Sequence, residues 1–164
     1  MSSTVTGYSR AQIILHWVIA ALILFQILGK GAIVEFTQAV AKGLETDQIP
    51  LLARVHVLLG ILVLVLAIWR VYLRLTRGVP GAPADESPAQ KAVAGIVHWS
   101  LYAVIFLMPL SGMAAWFGGV ELAARFHATF KFFMIAIIGL HILGALFQQY
   151  VQKTGILKRM MKAE

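Results

Sequence analysis

The chain contains no cysteine. That absence excludes disulfides, thiolate-held zinc sites and iron–sulfur clusters, and the CxxCH attachment of a c-type haem. Any metal or cofactor must be held by histidine, carboxylate, methionine or backbone groups. Charge is scarce as well. Only 13% of the 164 residues are charged, whereas a soluble domain carries about a quarter. Acidic residues are fewest, seven against fourteen Lys and Arg, for a net charge of +7. The basic residues gather at the ends of apolar runs, so they read as topology signals rather than as a nucleic-acid surface, and nucleic acid is not expected as a partner.

What is present is apolar: 60% hydrophobic residues and a mean hydropathy of +0.83. Four runs are long enough to cross a bilayer, which needs roughly 20 residues each. They cover about 11–29, 51–75, 92–116 and 123–151. The expected fold is an all-α, four-helix transmembrane bundle forming a single domain over residues 1–164. The first run follows one basic residue, Arg10, and lacks a small-residue cleavage pattern, so it reads as a retained span and not a signal peptide. Between the first two runs, Ile33, Val34, Phe36, Val40 and Leu44 suit a short amphipathic helix or turn at the interface. Residues 77–91, with Pro80, Pro83 and Pro88, read as a loop, and residues 118–122 as a tight connector. Nine Lys and Arg lie on the side of the two termini, among them Arg10, Arg70, Arg74 and Lys153, and five on the other, among them Lys30, Arg54, Arg125 and Lys131. The positive-inside rule then puts both termini in the cytoplasm of a bacterial inner membrane.

All five histidines, His16, His56, His98, His127 and His141, fall within or beside these runs. Ionisable groups at membrane depth are costly and usually face the bundle interior. A lone histidine would most simply bond between helices, but five at patterned depths ask for more. His127 and His141 are fourteen residues apart, roughly 21 Å along a helix and on nearly the same face. His16 enters at the depth of His141, and His56 at the depth of His127. Two bis-histidine pairs stacked across a membrane suit two b-type haems. Zinc is a poor rival, since it wants three or four ligands.

The haem propionates need cations. Fourteen residues beyond His56 lies Arg70, and fourteen beyond His16 lies Lys30; Arg54 and Lys131 lie within about a turn of His56 and His127. Arg70, Arg54 and Lys131 are the candidate cofactor-binding cations, while Lys30 and Arg74 could equally snorkel to headgroups. His98 sits in the inner half, where spacing leaves it open as a ligand, a quinone or proton partner, or a tie between helices.

Four stretches carry a resemblance: "YSRAQIILHW", "RVHVLLGILVLVLAIWRVYLRL", "HWSLYAVIFLMPLSG" and "FHATFKFFMIAIIGLHILGAL". Together they resemble the bacterial di-haem cytochrome b561 family over nearly the whole chain. That resemblance implies ligation by His16, His56, His127 and His141, with His98 not a ligand. It also implies electron exchange with ubiquinone, and for some members oxidation of superoxide to dioxygen. The connector between the third and fourth runs is shorter than in some relatives. Arg54, Arg125 and Lys131 could steer an anion such as superoxide, unless Arg125 is taken by Glu121 one helical turn away. For the quinone, Tyr8, Arg10, Gln12 and His98 are candidates. The alternatives are a haem-bearing anchor for a separate dehydrogenase or hydrogenase, in which the donor is a redox protein, and a transporter or scaffold whose histidines only bond between helices.

Overall fold

In a computed structural model, residues 5–44, 48–83 and 86–163 are described. Glu45, Thr46 and Asp47 of the first connector, and Ala84 and Asp85 of the proline loop, lie outside them. The described residues form helices and connecting turns, with no strand. The elements are α1 (Arg10–Leu28), α2 (Gly31–Ala41), α3 (Leu51–Arg77), α4 (Pro88–Gly118), α5 (Glu121–Leu146), a π-helical turn (Phe147–Val151) and α6 (Ile156–Arg159). Four of these, α1, α3, α4 and α5 with its π turn, are long and apolar enough to span a membrane.

Local chemistry sets the boundaries. Ser9 and Gln12 form a capping box that starts α1. Ser87 and Gln90 do the same for α4, with Pro88 at the first position, where its missing N–H costs nothing. The helix therefore begins four residues before the expected Ala92, and the loop expected to reach Lys91 stops at Ser87. Gly78 ends α3 at Arg77 rather than Leu75, with φ of +79°. Gly119, at φ +62°, ends α4 and leaves only Val120 before α5. The amphipathic stretch forms α2, whose Phe36 ring lies 5.9 Å from that of Trp116.

The interior is thin, as expected when lipid replaces water outside. Its centre is Val104 and Met108 of α4 against Met134 and Ile137 of α5, with Ile23 and Ile27 of α1 packed on them. Polar ties close the ends of the bundle. Gln12 donates to the Gly78 carbonyl at 2.9 Å and Arg70 to the Gln12 carbonyl at 3.1 Å, joining the start of α1 to the end of α3. Gln148 of the π turn donates to Glu86 at 2.5 Å, and Trp17 donates to the Met160 carbonyl at 2.8 Å.

Candidate functional site

The bundle brings the histidines together at two levels. The rings of His16 (α1) and His141 (α5) have centroids 6.2 Å apart. Those of His56 (α3) and His127 (α5) are 6.3 Å apart. Two imidazoles that share one metal ion, each bound through nitrogen at roughly 2 Å, place their centroids about 6 Å apart. Both pairs have room for one iron between the rings. The four rings are half-buried. Among the described residues no three His, Asp or Glu side chains converge to hold a bare metal ion; a pair of imidazoles at each level would fit a cofactor that brings the rest of its iron's ligands with it.

His127 is the most firmly fixed of the four. Its Nδ1 lies 2.8 Å from the Met108 carbonyl. A carbonyl only accepts, so Nδ1 carries the proton and Nε2 keeps a free lone pair, the arrangement in which a backbone acceptor orients a metal-binding imidazole. The Ser111 hydroxyl donates to the same carbonyl at 2.9 Å. Gly112 completes the seat. A Cβ there would stand 3.1 Å from His127 Cε1 and 3.2 Å from Nδ1, so only glycine lets the ring lie this close to α4. Pro109, inside the same helix, withholds the N–H that would bond the Ile105 carbonyl.

His98 joins the level of His16 and His141. Its ring centroid is 5.3 Å from that of His141, shorter than two rings sharing a metal require, and the residue is exposed. Arg70 reaches this level too: its charge acts on both His16 and His141 while its guanidinium bonds the Gln12 carbonyl. Arg74 stacks its guanidinium on Trp99 and Tyr102, 5.9 and 5.4 Å from the ring centroids. Gln12, a sequence candidate for quinone contact, spends its amide on the Ser9 cap and Gly78; Arg10 is exposed and Tyr8 half-buried.

At the other level, Lys131 is half-buried, 5.1 Å from the Phe132 ring centroid, and its charge acts on His127. Arg54 and Lys30 are exposed. Arg125 is held by Glu121 at 2.6 Å in an exposed pair, the local pairing weighed against anion steering. Sequence reasoning did not single out Met108, Ser111 and Gly112, although "MPLSG" is itself a signal: a proline and a glycine three residues apart inside an apolar helix mark a kink or a close approach.

Residues 7–163 match the model of the prokaryotic cytochrome b561 family. The chain is 36% identical over 156 residues to cytochrome b562 of Cereibacter sphaeroides, covering 95% of this chain and 96% of that one. It is 26% identical over 176 residues to the probable superoxide oxidase CybB of Yersinia pestis, with 94% and 95% covered. A family match over nearly the full length, a relative above 30% identity and four apolar helices all agree: the chain belongs to the prokaryotic cytochrome b561 family of membrane haem proteins that transfer electrons.

Proposed function

We propose that this chain is a single-domain di-haem b cytochrome of the bacterial inner membrane, with both termini cytoplasmic, that passes electrons from superoxide on the outer side to ubiquinone. His16 with His141 would hold the inner haem and His56 with His127 the outer one. The observation that carries this reading is the pair of ring separations, 6.2 and 6.3 Å, at two depths of one helix. When bound, each haem iron supplies one-electron carriage by alternating between ferric and ferrous states.

The residues do the rest. The Met108 carbonyl holds His127 by its Nδ1 proton, which aims Nε2 at His56. Arg70, beside the inner pair, supplies a cation for propionates; Arg54 and Lys131 do so at the outer level and attract an anionic substrate. Arg125 contributes little field, because Glu121 neutralises it. The overall balance is two superoxide ions, one quinone and two protons giving two dioxygen molecules and one quinol. No side-chain nucleophile is needed. For the quinone head, the supporting feature is a groove of about 330 Å³ between α3 and α4, lined by Val71, Arg74, Leu75, Trp99, Tyr102 and Phe106. It is nearly all apolar, and Arg74 offers the one charged donor suited to a quinone carbonyl, next in space to the inner histidine level.

A second reading, an electron carrier or membrane anchor for a separate dehydrogenase, is favoured by the name of the 36% identical relative, cytochrome b562, which specifies no substrate. The test is purified protein in detergent. Two b-type haems per chain in reduced-minus-oxidised spectra, and quinol formation driven by a superoxide generator, are the expected results. Absent b-type bands refute the haem reading. Two haems with no superoxide-driven quinol formation leave the carrier reading standing and remove the oxidase one.

A further inference from the structure

The two outer imidazoles are anchored unequally. His127 gives its Nδ1 proton to Met108, but the Nδ1 of His56 is buried without a partner. A buried donor left unpaired is costly, and a metal-binding histidine almost always gives its second N–H to an acceptor. Among the described residues, one other buried atom in this half of the bundle is also unpaired: Oε1 of Gln26, near the end of α1. The two lie on residues that already touch. Gln26 Nε2 donates to the backbone carbonyl of His56 at 2.8 Å. Since that carbonyl only accepts, the amide orientation is fixed, and Oε1 is the free end. Gly60, one turn beyond His56, lies beside the same amide: a Cβ there would make an ordinary contact with Gln26 Nε2 at 3.6 Å. An amide bound to the main chain of residue 56 thus holds a spare acceptor, while the ring of residue 56 holds a spare donor.

We propose that Gln26 is the positioning residue of His56. Its Oε1 accepts the His56 Nδ1 proton, through a small side-chain rotation or one bridging water. Gln26 then grips residue 56 at two points, main chain and ring, and fixes the tautomer whose Nε2 faces His127. Gln26 does for His56, with a side chain that can be exchanged, what the backbone carbonyl of Met108 does for His127. The strength of this acceptor sets how electron-rich the ligand is, and so the potential of the outer haem relative to the inner one. This inference rests on the proposed ligation by His56.

The test uses the full-length holoprotein in detergent and three variants. Gln26→Leu keeps the volume and removes both bonds, and should weaken retention of the outer haem against a haem-scavenging apoprotein 10- to 100-fold. Gln26→Glu offers a stronger acceptor, and should lower the outer midpoint potential while changing the low-spin ferric EPR signal of that haem toward greater imidazolate character. The inner haem should stay at its parent values in both. Parent-like retention, potential and EPR in both variants overturn the proposal. So does a Gln26→Glu potential shift with an unchanged EPR signal, which is the mark of bare charge rather than a hydrogen bond to the ligand. His56→Ala separates the premise: if it keeps two haems, the ligation reading fails; if it loses one while the Gln26 variants match the parent, only this inference fails.

Discussion

Gly112→Ala tests the seat of His127 with one methyl group. The new Cβ would meet the ring at 3.1 and 3.2 Å, inside ordinary contact, so the imidazole must retreat from α4 by a few tenths of an ångström. Retreat lengthens the 2.8 Å bond from Nδ1 to the Met108 carbonyl, which is worth about 1 kcal/mol when intact. Overpacking adds about 1–3 kcal/mol. Against both stands the helix preference for alanine, which returns about 1 kcal/mol. The net is a loss of about 1–3 kcal/mol, so thermal unfolding should fall by several degrees. The effect at the site is larger still, because the propensity gain is spread along the helix backbone while the displacement falls on one ring. Loss of a ligand's orienting partner costs roughly 10- to 100-fold in affinity. The assay is haem retention against a scavenging apoprotein, read as haem per chain, alongside the melting curve. A selective loss of one haem with only a modest fall in melting temperature is expected. Full retention of both haems at parent rates, with or without a fall in melting temperature, refutes the argument that Gly112 exists to admit the ring.

Other perturbations probe the remaining parts. His141→Ala should remove one haem and leave the other at least partly bound, measured as haem per chain; full occupancy of both would reassign the ligand. Arg70→Leu removes a cation whose charge acts on His16 and His141, so the ferric state is penalised less and the inner midpoint should fall in a potentiometric titration while the outer one holds. An unmoved inner midpoint removes Arg70 from the haem's surroundings. Arg74→Gln should raise the KM for quinone several-fold without changing haem content, and an unchanged KM empties the α3–α4 groove of its role. Glu121→Gln breaks a pair whose side chains are 75% and 77% exposed, so chemical or thermal denaturation should register a change within about 0.5 kcal/mol; a larger loss would mean that the pair is structural.

The four spans and the two depths of histidine were legible because both follow from quantities that run along a helix: apolar length and rise per residue. Helix rotation was not legible. These helices are apolar nearly all round, since lipid and protein neighbours want similar side chains, so no stripe tells which face turns inward. His98 illustrates the gap. Its depth could be read, but only the fold says that its ring lies against His141 and stays exposed. Gln26 and His56 are thirty residues apart, and Glu86 and Gln148 sixty-two; each contact depends on two rotations at once. The early start of α4 is different, because "SPAQ" is a capping box written in the sequence. There the proline-rich composition outweighed a local signal that the chain obeys.

The packed layer of Val104, Met108, Met134 and Ile137 also has an electrical meaning. Met134 is seven residues from His127 and seven from His141, so the layer insulates one histidine level from the other. None of its four side chains can carry a proton or hold an ion. Over roughly 21 Å of an about 30 Å hydrocarbon slab, an electron moves through some two-thirds of the transmembrane voltage, doing work of about 1.5 kcal/mol for each 100 mV. If, as proposed, superoxide is oxidised outside and quinone reduced at the inner level, the transfer runs against a negative interior. In that direction an energised membrane would brake the reaction and a depolarised one would release it, with no moving sensor in the protein.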